Sequence, residues 1–294
     1  MASPMGRSDD VVSHLIGGES IPGEGDRITV VDPATERTLG DFHEATADQV
    51  DEAVAAARVR FEAGEWRRAS VPERQAVLRR VAQSIRDEAR ALAELESACA
   101  GLPIAHLTAR QVPRAAENFD FFAEVIGQLA GETFEQMPGY LTLVTREAAG
   151  VCALLSPWNA PLALSSMQVA SCIAFTGGSA TARSIMAAAA EHLTPVHFEL
   201  GGKSANIVFA DADLDQALDG SLVNIFSNNG QICIAGSRIL VERSMAEAFI
   251  ERFVARARSL RVGDPKDPAT EAGPLAFEGH LERVLAYAEL AREE

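Results

Sequence analysis

Hydrophobic positions along the first half of the chain recur mostly at helical spacing, after a short stretch that alternates. Residues 1–45 read as short strands and turns: Arg27-Ile-Thr-Val-Val31 alternates, and Asp32-Pro33-Ala34-Thr35 breaks it with turn chemistry. Thr46-Ala-Asp-Gln49 then forms a capping box, and Val50, Ala53, Val54, Ala57 and Phe61 share one helical face until Gly64. Ser70-Val-Pro-Glu73 opens a longer helix whose buried side is predicted to carry Val77, Val81, Ile85, Ala89 and Leu92. A third helix starts near Pro113 and is expected to bury Ala115, Phe119, Phe122, Ile126 and Leu129.

After Pro138-Gly139 the pattern changes. Leu141–Arg146 alternates like an exposed strand, with an edge open to pairing with another chain. Val151–Leu155 and Ser171–Phe175 are continuous apolar runs, the pattern of strands buried on both faces of a parallel sheet. A helix to about His192 follows, then strands at Val196–Leu200 and Ile207–Phe209. A helix over 213–228, a strand Ser237–Val241 and a helix over 244–260, opened by another capping box at Ser244-Met-Ala-Glu247, complete an α/β alternation. A last helix from about Gly279 runs to Glu294 without a cap, which reads as a chain that stops early.

Composition narrows the classes. With 26 basic and 42 acidic residues among 294, the net charge of −16 disfavours phosphate backbones, and no basic stripe offsets it. The expected partners therefore exclude nucleic acid. They also exclude a membrane, because no run approaches a transmembrane span. The N-terminus lacks the apolar core of a signal peptide. Cys99, Cys152, Cys172 and Cys233 are too irregularly spaced for a disulfide framework or a zinc site, so the expected location is cytoplasmic.

Four short stretches carry chemistry. In Ser156-Pro157-Trp158-Asn159-Ala160-Pro161, directly after an apolar run, the Asn159 amide can donate into a cleft and stabilise a developing oxyanion; equally, it can cap the helix that Pro161 begins. Phe175-Thr176-Gly177-Gly178-Ser179 suits either phosphate at a helix N-terminus or a tight turn. In Phe198-Glu199-Leu200-Gly201-Gly202-Lys203-Ser204, a partly desolvated Glu199 would be a general base poised near neutrality, or a carboxylate paired with Lys203 or satisfied by turn amides. Finally, Asn229-Gly230-Gln231-Ile232-Cys233-Ile234-Ala235-Gly236-Ser237-Arg238 sets a cysteine among glycines and amides, unlike Cys99, Cys152 and Cys172, which read as core residues.

Taken in order, with 34 positions from Glu199 to Cys233, these motifs resemble the aldehyde dehydrogenase family along nearly the whole chain, from about Ile16. The likeness implies an incomplete aldehyde dehydrogenase-like α/β fold. Residues 1–200 would form a doubly wound parallel-sheet cofactor domain, interrupted near 168–172 and carrying an oligomerisation strand at about 139–148; residues 201–294 would be the first part of an α/β catalytic domain. It implies an oxidoreductase that converts an aldehyde to a carboxylate with NAD or NADP, through a thiohemiacetal and thioester on Cys233. Glu199 would activate water. Asn159 and the backbone N–H of Cys233 would hold the oxyanion. The cofactor would touch Ser156, Pro157, Trp158, Asn159, Gly177, Gly178 and Leu200. No metal is implied. The first half, in stretches such as Val112–Phe119, reads most like semialdehyde dehydrogenases of aromatic breakdown, acting as a homo-oligomer or beside a homologue.

The pattern also breaks. Only 17 residues separate Asn159 from Gly177, where the family has about sixty more, roughly two strand-plus-helix units. A lysine that binds the adenosine ribose in the family lies in that stretch, as does a glycine-bearing turn near the pyrophosphate. The C-terminal segment bearing a glutamate for the nicotinamide ribose has no counterpart either. Each large apolar side chain uncovered by such a gap forfeits about 1.5–3 kcal/mol. Two other readings stay open at this point: a non-catalytic remnant that pairs with a full-length homologue, and a cofactor-free thiol esterase.

Overall fold

A computed structural model of the chain describes residues 12–171 and 175–293. Two antiparallel hairpins begin it, β1 (Ser13–Ile16) with β2 (Glu19–Pro22) and β3 (Arg27–Val31) with β4 (Thr38–His43). Helices α1 (Ala47–Ala63), α2 (Val71–Asp87), α3 (Ala89–Ala100) and α4 (Val112–Val125) follow. A third hairpin, β5 (Glu132–Met137) with β6 (Tyr140–Val144), leads to α5 (Pro161–Ser171). The α/β part runs β7 (Phe175–Gly177), α6 (Ser179–Ala190), β8 (Phe198–Leu200), β9 (Ala205–Val208), α7 (Leu214–Phe226), β10 (Arg238–Val241), α8 (Ala246–Arg258) and α9 (Glu278–Glu293).

Both N-terminal capping boxes form: Thr46 with Gln49 and Ser70 with Glu73 each satisfy first-turn amides reciprocally. The long predicted helix divides in two at Glu88, where the backbone leaves helical geometry (φ −99, ψ 13). The main core lies among α2, α3 and α4, built on Ala82, Ile85, Ala93, Leu102, Leu107, Val112, Ala115 and Phe119. Leu162 and Ala170 of α5 pack against it. Leu102 and Leu107 are wholly excluded from water, which contributes about 1.5–3 kcal/mol each. A smaller core of Val208, Leu218 and Phe249 joins β9 to α7 and α8.

Parallel strand pairs among the described residues are two and short, β7 with β8 and β9 with β10, beside three isolated parallel bridges. Several expectations change accordingly. Val151–Leu155 does not form a buried strand: it makes one bridge, Leu155 to Phe175, and both Leu155 and Cys152 are exposed. A buried strand needs neighbours on both sides, and no described strand flanks this run on its far side. The apolar stripe of α1 is likewise uncovered, with Val50 and Val54 each 52% exposed, because periodicity predicts burial only where an element lies against it. Leu129 lies past the end of its helix and is exposed. The second-half capping box does not form, since α8 starts at Ala246 with Met245 at its N-cap and no side-chain cap; Ser244 lies one residue too early, and its Oγ donates to Glu242 Oε1 (2.9 Å). Cys99 is half-buried in α3, while Cys172 and most of the run Ser171–Phe175 lie outside the described residues. No described helix is long and apolar enough to cross a membrane.

Candidate active site

The short parallel pair sets the first half of the site. Its register matches Thr176 with Glu199 and Gly177 with Leu200, so the Gly177-Gly178 turn and the Glu199 turn leave the sheet side by side. Gly178 is the N-cap of α6 and, having no side chain, caps none of the first-turn amides of that helix. A Cβ added at Gly178 would meet nothing within 4 Å, so this helix end is open to approach. Buried Gln168 of α5 locks the strand ends together. Its Nε2 donates to Leu155 O (3.1 Å) and Thr176 Oγ1 (3.0 Å), and its Oε1 accepts from Ser156 Oγ (2.7 Å).

The cysteine loop is shaped by three consecutive left-handed residues, Asn228 (φ 56), Asn229 (φ 58) and Gly230 (φ 74). Asparagine and glycine are the residue types that tolerate this region. Both asparagines also use their side chains to fix the loop. Asn228 Nδ2 donates to Asn159 O (2.6 Å). Asn229 Nδ2 donates to Gly101 O (3.0 Å) and Pro274 O (2.9 Å), while its Oδ1 accepts from Gly273 N (2.8 Å). Gln231 is buried, and its Oε1 accepts from Ala276 N (3.1 Å).

Asn159 Nδ2 donates to Gln231 O (2.7 Å), two residues before Cys233. The first helical bond of α5 is accepted by Ala160 O, from Leu164 N (3.0 Å), which puts Ala160 rather than Asn159 at the cap position. A primary amide carries two N–H groups, so one remains for a ligand. The Glu199 turn meets the cysteine loop directly, since a Cβ at Gly202 would stand 3.2 Å from Cys233 O. Cys233 is exposed on a turn between Gly230 and β10.

All these residues border one cleft of about 800 Å³, namely Ser156, Pro157, Trp158, Asn159, Gly177, Gly178, Glu199, Leu200 and Cys233. Glu199 differs from expectation: its side chain is 58% exposed rather than desolvated, and its Oε1 lies 3.3 Å from His197 Nε2. The open cleft mouth accounts for this. Lys203 does not pair with it either, donating instead to Gly202 O (3.2 Å). Two cleft features went unforeseen. Trp158 meets Phe277 edge-on (5.1 Å between centroids) and lies 5.1 Å from the His280 ring. Burial and the nearby Arg283 push the His280 imidazole down, toward its neutral form. Among the described residues no group of three or more metal-binding side chains assembles.

Comparison with known proteins decides the ancestry of this arrangement. A sequence profile of the aldehyde dehydrogenase family matches residues 21–174 and 170–294. The chain belongs to the aldehyde dehydrogenase family. It is 34% identical to 5-carboxymethyl-2-hydroxymuconate semialdehyde dehydrogenase of Escherichia coli, over 96% of this chain and 72% of that one. It is 33% identical to 2-hydroxymuconic semialdehyde dehydrogenase of Pseudomonas sp. (strain CF600), over 96% and 71%. The crystal structure of PnpE, a protein of Pseudomonas sp. WBC-3, in complex with nicotinamide adenine dinucleotide superposes with a TM-score of 0.88 at 33% identity, covering 95% of this chain and 69% of that chain. These relatives bear out the expected likeness to semialdehyde dehydrogenases and an incomplete aldehyde dehydrogenase fold. The family profile matches in two pieces that meet at 170–174, and the alignment to the Escherichia coli dehydrogenase runs over 341 positions, more than the whole of this chain. Both findings agree with a stretch of the family having no counterpart near 168–172.

Proposed function

We propose that this aldehyde dehydrogenase oxidises its substrate through a thioester on Cys233, with Asn159 as oxyanion donor and Glu199 as the base that releases the acid. The observation that carries the reading is the convergence of these three residues on one cleft although 74 positions of chain separate the first from the last. The Cys233 sulfur, exposed on its turn, attacks the aldehyde carbon to give a thiohemiacetal. The free N–H of Asn159 and the backbone N–H of Cys233 face the oxygen that gains charge, a donor type worth ~10²–10³ in rate. Glu199, open to water, takes a proton from the molecule that attacks the thioester, a step worth ~10²–10⁴.

A nicotinamide dinucleotide, NAD or NADP, supplies the hydride acceptor this oxidation needs. The donor set fits the nicotinamide half of such a molecule. The first-turn amides of α6 beside open Gly178 suit a phosphate, and Ser156, Pro157, Trp158 and Leu200 give a largely apolar wall. Residues for the adenosine end have no counterpart in the sequence, which favours weak dinucleotide binding. This also supports a second reading, in which Cys233, Asn159 and Glu199 cleave activated esters without a cofactor. We divide the chain at about residue 200 into a cofactor-facing part and the start of a catalytic part. The hairpin β5–β6 exposes Met137, Tyr140, Leu141 and Leu143, which favours association with a second copy or a longer homologue.

Purified protein tests the assignment. With a semialdehyde and NAD or NADP, reduced nicotinamide should form, and Cys233→Ala should abolish it. Glu199→Gln should slow thioester breakdown more than its formation, so that acyl-enzyme accumulates. Turnover that survives Cys233→Ala would deny the cysteine its role as nucleophile, and equal loss in both steps for Glu199→Gln would deny the carboxylate its role as base.

A further inference from the structure

Glu199 lacks the desolvation that would strengthen a carboxylate as a base near neutrality, since its side chain is 58% exposed. A second titratable group adjoins it: His197 Nε2 lies 3.3 Å from Glu199 Oε1. Glu199 borders the cleft, whereas His197 is not among the residues that line it. The backbone sets their approach. His197 immediately precedes β8, and its carbonyl accepts from Phe175 N (3.1 Å), so the contact with β7 continues through it. Successive side chains of a strand point to opposite faces, which places residues 197 and 199 on one face and Phe198 on the other. Phe198 meets Phe175 edge-on (5.9 Å between centroids), which fixes the alternation. A pair this open to water adds little to stability. Its chemistry is of more consequence, because an imidazole changes charge between about pH 5 and 8, where a base must take up and release protons.

We propose that His197 is the proton acceptor behind Glu199 in thioester breakdown. This rests on the proposed role of Glu199 as the base. As the oxygen of the attacking water bonds to the acyl carbon, its proton goes to the Glu199 carboxylate. The carbon–sulfur bond then breaks, and its electron pair leaves with Cys233 as thiolate. From Oε1 the proton passes to the Nε2 lone pair of the tautomer that carries hydrogen on Nδ1. The ring, 60% exposed, releases the Nδ1 proton to solvent, and Glu199 is again a carboxylate. His197 thus acts through Glu199 and not on the substrate. Around this pair β7 carries no charged or titratable residue, and α6, which packs against β8, carries Arg183. Glu191 and His192 follow that helix, Lys203 lies in the Glu199 turn, and Cys233 and His280 border the cleft. Arg183, Glu191 and His192 are exposed, and Lys203 is engaged with Gly202 O.

The test uses the full chain acylated at Cys233 by an activated acetyl ester, with variants His197→Gln, His197→Ala and Glu199→Gln. Loss of the acetyl group is followed by mass spectrometry between about pH 5 and 8. The wild-type rate should rise across this range, because the ring accepts a proton only when neutral. His197→Gln keeps an amide N–H within reach of Glu199 but cannot take up the proton. It should therefore lose about tenfold at the upper end of the range and show no such rise, a smaller loss than the ~10²–10⁴ of removing a base outright. His197→Ala should behave alike, and added imidazole should speed it more than it speeds Glu199→Gln. On a Glu199→Gln background, His197→Gln should cost nothing further. If Glu199→Gln is slow while His197→Gln keeps the wild-type rate and pH profile, the inference alone is overturned and Glu199 keeps its role. If Cys233 of the wild type is not acylated, or Glu199→Gln deacylates at the wild-type rate, the proposed function fails and the inference falls with it.

Discussion

Replacing Asn229 by alanine is the sharpest structural test, because this side chain ties the cysteine loop to two distant parts of the chain. It donates to Gly101 O and Pro274 O, accepts from Gly273 N, and sits at φ 58. Each of the three hydrogen bonds contributes about 1 kcal/mol net. Placing an alanine Cβ in the left-handed region costs about 1 kcal/mol more. No other side chain can take over, since a Cβ at Gly273 would already collide with Gly101 O and the two backbones leave no room between them. The sum, about 4 kcal/mol, is a large share of a domain stability of about 5–15 kcal/mol. Denaturant unfolding followed by fluorescence should therefore show Asn229→Ala strongly destabilised. Asn229→Gly loses the same bonds without the backbone strain and should recover about 1 kcal/mol. An alanine variant within about 1 kcal/mol of wild type would refute the clamp. A glycine variant no better than alanine would refute the strain argument.

Three further outcomes follow from charge and exposure. An unfolded Glu96 ionises near 4.5 and the folded one near 7, so between these values the folded state holds the extra proton. Stability is thus undiminished below pH 4.5, falls as pH rises, and has lost about 3 kcal/mol above pH 7; Glu96→Gln should be the more stable by that amount above neutrality and no different in acid, and the opposite trend in unfolding midpoints would contradict this. Burial penalises the Asp32 charge, but Lys266 and the amides of Ala34 and Thr35 outweigh it and hold the carboxyl below its ordinary value. Its contribution is present above the usual carboxylate range and lost as pH falls through the lowered value. Lys266→Met should cost about 3 kcal/mol near neutrality, at the low end for breaking a buried pair because Lys266 is 51% exposed, and a denaturant midpoint unchanged from wild type would show that Asp32 needs no partner. In thiol labelling with peptide mapping, exposed Cys233 and Cys152 should react well before Cys99, whose thiol burial, Asp32 and Glu96 push up; equal rates would contradict the half-buried placement.

The legible part of the fold is the part governed by neighbours in sequence. Both N-terminal capping boxes, the Gly64 stop and the apolar faces of α2 and α4 follow from spacings of three or four residues. Periodicity misleads about burial where burial depends on an element supplied from elsewhere in the chain: Val50 and Val54 on α1, and the Val151–Leu155 run, have the pattern of core without a neighbour to cover them. The Ser244 box fails for a local reason: the helix begins one residue later, with Met245 at its N-cap. At the site, Asn159, Glu199 and Cys233 are readable because glycine and proline mark their turns. The environment of Glu199 is not, since exposure depends on what closes the cleft above it. Nor can the Asn-Asn-Gly turn disclose its partners at Gly101 and Pro274, although three turn-forming residues in a row do mark an unusual backbone.

This distribution of contacts explains how a site can keep its shape beside so short a sheet. Asn159 is held by Gln231 and Asn228, the cysteine loop by Gly101, Gly273, Pro274 and Ala276, and the strand ends by Gln168 of a helix anchored in the main core. All of these links are made by residues that the chain contains, Gln168 at the edge of the break near 168–172 among them. Elsewhere the chain leaves large apolar side chains in water, among them Leu155 and Leu200 beside the short sheet and Val50 and Val54 on α1. Each exposed side chain of this size gives up about 1.5–3 kcal/mol. That exposure bears on whole-molecule stability, while the geometry relating Cys233, Asn159 and Glu199 is set by bonds local to the cleft.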